Sequence, residues 1–253
     1  MLFRSHRLEV LATGDSRGGF GLASSFVAAG SPAPLATLSA SRLVADRWVD
    51  DAPVPYQLAV GRLSLGGLVR RGAISASVAA VGRVEAEDLA DPSLLAGPAA
   101  ALTLASATTT VRFAGEADFG AYTWVGLTLD ARAHTPIGHG ELAGRVLATG
   151  VPTPDVPFHR LPTAGGAELL RGLPAGRFRA PTLYALQIEG RYPIVGPLHA
   201  AAFVDAARVE GDHFTAGGGL RLVLPPGRDN VTRVDVGFGP EGWGVVVAWG
   251  EAL

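Results

Sequence analysis

The 253-residue sequence contains no cysteine and no lysine. Without cysteine there is no disulfide framework, thiolate zinc site, iron–sulfur cluster or cysteine nucleophile. All 21 basic side chains are arginine, in keeping with an Arg-, Ala- and Gly-rich composition. Charge is scarce, at 17% of residues, and a net charge of −2 leaves no electrostatic footprint for nucleic acid. With 48% hydrophobic residues and a mean hydropathy of +0.28, the chain is not disordered and is long enough to bury a core.

Long apolar runs are missing too. Gly18–Ser41 and Leu94–Val111 lack charge, but proline, serine and threonine interrupt both, so neither reads as a spanning helix. The first twelve residues carry Arg4, Arg7 and Glu9 with no apolar stretch, so no signal peptide is visible. Helix signals are nearly absent: the best candidate, Glu85–Ala96, has Pro92 inside it.

What remains is alternation. Large apolar and small or polar residues alternate over 2–13, 19–28, 35–48, 56–69, 72–84, 99–113, 119–132 and 140–149, and again over 181–192, 198–209, 216–224, 231–238 and 243–250. Tyr184, Leu186, Ile188 and Tyr192 share one face, with Gln187, Glu189 and Arg191 on the other. Val234, Val236 and Phe238 oppose Arg233, Asp235 and Gly237 in the same way.

Period alone leaves a soluble Gly-rich sandwich or barrel open. Length separates the readings: soluble strands run about 5–6 residues, whereas tilted membrane strands need ~9–11. Most of these segments have the longer length. Charge and glycine crowd the face opposite the apolar one, and Trp243 and Trp249 sit near strand ends, as in an interfacial girdle. The opposite face reads as a wet lumen, so an arginine should be tolerated at Gln187 and costly at Leu186. Because even strand numbers are usual, thirteen segments imply either one misreading or a sequence that starts inside a 16-stranded relative; the doubtful place is 56–84, where only Arg70 and Arg71 stand between neighbouring strands.

Residues 150–180 break the pattern. They hold five prolines but also Leu169, Leu170, Leu173 and Phe178, which suggests a packed segment. This loop reads GGAELLRGLPAGRFRAP, and after it come LQIEGRYPIVGPL (186–198), FVDAARV (203–209), GLRLVLPPG (219–227) and VDVGFGPEGWGVVVAWGEAL (234–253). In order and spacing this string resembles the C-terminal barrel of the BamA/TamA outer-membrane superfamily, the bacterial surface antigen family. Leu170-Arg171-Gly172-Leu173 stands at the place of the family's [VI]-R-G-[FY] signature, with leucine for the β-branched and the aromatic residue. The terminal Leu253 stands where such strands commonly end in phenylalanine.

The resemblance covers roughly residues 165–253 and implies insertion or export of polypeptides at the bacterial outer membrane. No periplasmic repeat sequence stands ahead of the strands. It also implies that the signature Arg171 sits against acidic residues, a place Glu189 and Asp205 occupy here. Arginine suits that role because its planar fork can bridge two carboxylates.

Other motifs carry less. Gly14-Asp15-Ser16-Arg17-Gly18 fits a nucleophile elbow, but Phe20, Leu22, Ser24 and Phe26 continue in strand period where a helix is required. Gly237 to Gly242 spells G-x-G-x-x-G without a following helix. His134, His139 and Glu141 contain ligand types at a predicted turn, in no recognised metal spacing. His6, His159, His199 and His213 are scattered and nominate nothing.

The expectation is an all-β, membrane-spanning, antiparallel up-and-down β-barrel of about 12–14 strands. It forms a single domain over 1–253, with 150–180 folded into the lumen as the signature loop and 181–253 as the last five strands. The chain should be no enzyme and need no metal or cofactor. Its partners are outer-membrane lipid and unfolded outer-membrane or secreted polypeptide, with no nucleic acid and the oligomeric state open. The alternatives are a passive pore, an anchor barrel for another domain, and an outer-membrane hydrolase using Ser16.

Overall fold

In a computed structural model, the structure describes residues 2–9, 16–28, 33–49, 52–88, 91–223 and 231–250. Strands β1 (Leu2–Glu9), β2 (Ser16–Ala28), β3 (Ala33–Val49), β4 (Ala52–Arg71) and β5 (Ile74–Glu87) open the chain. They are followed by β6 (Ser93–Ala105), β7 (Thr109–Gly120), β8 (Trp124–Ile137) and β9 (Gly140–Gly150). Two short strands, β10 (Thr163–Ala164) and β11 (Phe178–Arg179), pair with each other inside the long loop. The chain closes with β12 (Thr182–Val195), β13 (Leu198–Arg208), β14 (Asp212–Val223), β15 (Val231–Gly239) and β16 (Gly242–Trp249).

The fourteen long strands form one antiparallel sheet in chain order, β1 to β9 followed by β12 to β16. Its two faces differ as the alternation requires. Along β12, Leu183, Ala185, Gln187 and Glu189 are buried while Tyr184, Leu186 and Ile188 are exposed. The outer face carries Val78, Leu94, Leu127, Phe214, Phe238, Trp243 and Trp249. An exposed apolar surface of this extent is foreign to a soluble monomer and suits a bilayer.

The loop between β9 and β12 touches Tyr56 on β4 and Glu85 on β5 at one side, and Glu189 on β12 and Asp205 on β13 at the other. A sheet that reaches the same loop from both sides is curled around it, so the fold is an up-and-down barrel with the loop in its lumen. No described helix is long and apolar enough to cross a membrane, which bears on helices alone.

The two rims are built differently. At one end β4–β5, β8–β9 and β12–β13 are joined by two-residue turns opening with Gly72, Gly138 and Gly196, at φ of +57°, +59° and +52°. Glycine supplies the left-handed conformation such hairpins need. The long loop leaves from the opposite end.

The doubtful hairpin at 56–84 is real, as β4 and β5. The misreading lies further on. Residues 99–113 are not one strand but the end of β6, a turn at Ser106–Thr108 and the start of β7. That turn has no glycine, proline or aspartate; the Ser106 hydroxyl accepts the amides of Thr108 and Thr109 instead. The helix candidate Glu85–Ala96 is likewise overturned: β5 runs to Glu87, Asp88 turns at φ +50°, and β6 begins at Ser93. The Gly14–Gly18 motif falls partly outside the described residues, and strand β2 follows Ser16 where the elbow needs a helix.

Candidate functional site

The signature loop dips into the lumen as a tight tip. Leu173 N–H donates to Leu170 O at 3.1 Å, and Leu170 adopts φ +54°, an uncommon conformation for a side-chain-bearing residue. Burial holds it there: Leu169, Leu170, Leu173 and Phe178 pack against Leu183 and Ala185 of β12 and Ala207 at the end of β13. Gly172, at φ +100°, lies flat on the wall, and a Cβ there would stand 2.4 Å from Gly237 O. Gly237 and Gly244 face the same stretch of loop backbone, so glycine on both sides lets the main chains touch.

This bed places Arg171 among acidic side chains. Its Nε and Nη2 donate to Asp205 Oδ2 and Oδ1 at 2.9 and 2.8 Å, and its backbone N–H reaches Asp205 Oδ2 at 3.0 Å. Nη1 donates to Glu189 Oε2, and the guanidinium lies 3.6 Å above the Phe203 ring centroid. Arg171, Glu189 and Asp205 are each 0% exposed. Burial works against the Arg171 charge, but Asp205 and then Glu189 more than offset it and hold the guanidinium above its ordinary range.

Sequence reasoning saw three members of a larger network. Arg221 bridges Glu189 (2.8 Å) and Asp235 (2.5 Å), and Arg233 binds Asp235 (2.8 Å), Ala167 O (2.7 Å) and Glu168 (3.2 Å). Arg191 Nε donates to Glu189 Oε1 at 2.7 Å. The arginines at 171, 221 and 233 thus meet the buried carboxylates of Glu189, Asp205 and Asp235, and Arg191 and Glu168 join at the edge, so each buried ion has a partner of opposite charge, which keeps it tolerable. Strand period already put 233 and 235 on this face; the missing signal was the strand-to-strand register.

One expectation fails here. Gln187 is 1% exposed, donates to Asp205 Oδ1 (3.1 Å) and Glu168 O (3.0 Å), and accepts from Arg145 (3.3 Å). The wall behind the loop is packed, not wet, so an arginine at Gln187 would not be tolerated.

A second anchor, unforeseen, joins the loop to the opposite wall. The single turn of 3-10 helix at Phe158–Arg160 sets Arg160 Nη2 2.7 Å from Asp118 Oδ2 and Nε 2.9 Å from the Tyr122 hydroxyl. The Arg160 guanidinium stacks on Trp124 at 4.6 Å, and His159 Nε2 lies 3.0 Å from Glu85 Oε2. Phe158 packs edge-on against Tyr56 with centroids 4.7 Å apart. Burial, then the hydrogen bond it donates to Glu85, pushes the Tyr122 hydroxyl up to about 12. His159 therefore has a place after all. His134 and Glu141 lie on β8 and β9 with His139 in the turn between them, and Glu141 sits 3.5 Å from Arg191. No group of side chains that could hold a metal ion occurs among the described residues.

No protein-family model matches the sequence, and no curated protein matches it. Solved structures do. The crystal structure of BamA from Haemophilus ducreyi lacking POTRA domains 1–3 superposes with a TM-score of 0.70 at 12% identity, covering 97% of this chain and 63% of that one. CdiB from Acinetobacter baumannii gives 0.65 at 13% identity, over 90% of this chain and 49% of its own. The chain therefore spans less than two thirds of either structure. It carries the barrel fold of these outer-membrane proteins, the fold of the BamA/TamA superfamily that its last 89 residues resemble.

Proposed function

We propose that residues 1–253 form one barrel domain of the bacterial outer membrane that inserts or translocates polypeptides, with the Arg171 loop as lumenal plug and brace. The observation that carries the reading is Arg171 itself, fully buried between Glu189 and Asp205. A passive scaffold gains little from so many buried charges, since replacing such a cluster by apolar side chains is often neutral or stabilising. Retaining it makes sense where the loop must hold one fixed place against a polypeptide. The reading is non-enzymatic: its work is done by surfaces that lipid and polypeptide meet.

The test is reconstitution of the chain in liposomes with an unfolded outer-membrane protein as substrate. The wild type should speed substrate folding over empty liposomes, and Arg171→Ala should lose most of that gain while keeping the heat-modifiable mobility of a folded barrel. Equal rates with and without the wild-type barrel would leave the passive pore or anchor in its place.

A further inference from the structure

Among the described residues the two rims of the barrel carry opposite charge. Around the rim from which the long loop leaves, the exposed carboxylates among the described residues are Asp88, Asp91, Asp155, Glu210, Asp212 and Glu241, against the exposed Arg208 and Arg42, which reaches Gln57 beside Asp88. At the short-turn rim the order reverses. Arg70, Arg71 and Arg112 are exposed and Arg132 is 40% exposed at its side chain. The exposed carboxylate on that side is Glu168 of the loop, 3.2 Å from Arg233, and among the described residues no strand carries one at that end. The two that lie near it, Asp130 and Glu141, are 18% and 16% exposed and are already taken up by arginines at 132, 145 and 191.

Side-chain direction says what this charge faces. Arg70 pairs with Ser75 and alternates with the outward Val69, so it points into the lumen. Arg112 pairs with Asp130, on the face opposite the outward Phe113. Among the described residues Arg112 has no ion-pair partner. Arg71 alone of the three exposed arginines shares the outward face, with Ile74 across from it. On the wall of the same mouth lies a recess of about 220 Å³ lined by His139, Glu141, Arg191, His199 and Arg221. A concave mouth with an excess of one sign of charge focuses its field and concentrates ligands of the other sign.

We infer that the short-turn mouth is a cationic vestibule that receives an acidic, unfolded polypeptide segment into the lumen. An anionic lipid headgroup would meet outward cations, and the rim offers it Arg71; the inward arginines serve a guest inside the barrel. Short turns of outer-membrane barrels face the periplasm, the side from which such a segment arrives. The inference rests on the proposed function and names the chemistry of its substrate.

The experiment is fluorescence anisotropy on the folded barrel in detergent, with labelled oligoglutamate and oligoarginine as probes. Oligoglutamate should bind, and binding should fall steeply as salt rises from about 0.05 M to about 0.5 M. The double variant R70E/R112E should weaken it by about tenfold while R71E leaves it unchanged. Both variants lie at exposed positions, and heat-modifiable mobility verifies that each remains folded. Equal binding of the two peptides, or an R70E/R112E barrel that binds like the wild type, would overturn the vestibule. So would R71E proving the damaging change, with binding transferred to phosphatidylglycerol vesicles, which would make the rim a lipid site. A barrel that binds oligoglutamate as expected yet does not speed insertion keeps the vestibule and removes the insertase reading. The reverse pair of results removes the vestibule alone.

Discussion

The lumen has two walls of unlike construction. On β12 to β15 the inner side chains are buried along most of the strand length and locked to the loop tip by a network of paired arginines and carboxylates. On β4 to β8 the loop is held at one end, where Phe158, His159 and Arg160 meet Tyr56, Glu85, Asp118 and Trp124. Below that contact the wall opens to solvent at Arg112. One loop is thus laid along the first wall and pinned at a point to the second. The two attachments share no side chain, so they should fail separately.

The sharpest way to break the comparison is at the packed wall. Asp205→Ala strips Arg171 of three hydrogen bonds, and Arg171→Ala leaves two carboxylates short of a cation. Losing one partner of a buried ion pair costs ~3–5 kcal/mol. Each change should lower stability by about that amount in equilibrium unfolding from detergent, and the double variant should fall well short of the sum. Protease cleavage should concentrate in residues 164–180. A variant with full stability and an intact loop would show that the network is ornamental.

Gly172→Val tests the close approach instead of the charge. The added Cβ falls 2.4 Å from Gly237 O at a φ of +100°, where a β-branched residue is strained as well as crowded. Overpacking costs ~1–3 kcal/mol and the left-handed conformation ~1–2 kcal/mol more, so about 2–5 kcal/mol is expected. Gly190→Val, with nothing within 4 Å of the new Cβ, should cost far less in the same assay.

These two walls also explain what could be read in the sequence. On β12 and on β14 to β16 most outward residues are large and apolar and most inward ones are charged, polar or small, so strand order, faces and the place of Arg171 followed from period and the resemblance. The other wall hid its logic. The β6–β7 turn is Ser-Ala-Thr, held by a serine hydroxyl, and β6 is alanine-rich with Gly97 and Pro98 inside it. Merging these strands left Asp118 without a place on the inner face, and treating Glu85 as the start of a helix removed the other half of the anchor. With both partners misplaced, His159 could only look scattered. Gln187 failed for a different reason: period says that a residue faces inward, and cannot say that a loop fills the space it faces.

Arg160→Ala tests the point contact. It removes hydrogen bonds to Asp118 and Tyr122 and the stacking on Trp124, leaving Asp118 to Arg83 at 3.2 Å. Hydrogen bonds to charged groups contribute ~1.5–3 kcal/mol, and a remaining cation lowers the loss, so about 1–3 kcal/mol is expected. The cleavage pattern matters more than the size. Residues 151–163 should become protease-sensitive while 164–180 stay protected, the inverse of the Arg171→Ala pattern. If both segments loosened together in either variant, the loop would be one cooperative unit and the separation of the walls would be lost.

The smallest effect is expected where the same chemistry stands outside the lumen. Arg208 and Asp212 form an arginine–aspartate pair like Arg171 and Asp205, but at 3.8 Å and with side chains 75% and 82% exposed. Water screens such a pair and ordering the long side chain offsets most of what the attraction contributes, which leaves ~0–1 kcal/mol. Arg208→Ala should therefore change detergent unfolding by no more than that and leave cleavage in residues 150–180 unaltered. Its neighbours on the strands make it a fair control: Tyr184 and Arg208 face each other across β12 and β13, as Gln187 and Asp205 do three residues further in. A loss at Arg208 comparable to that at Arg171 would mean that burial contributes nothing to the lumenal pair. The contrast between a packed wall and an exposed rim would then have to be drawn from packing alone.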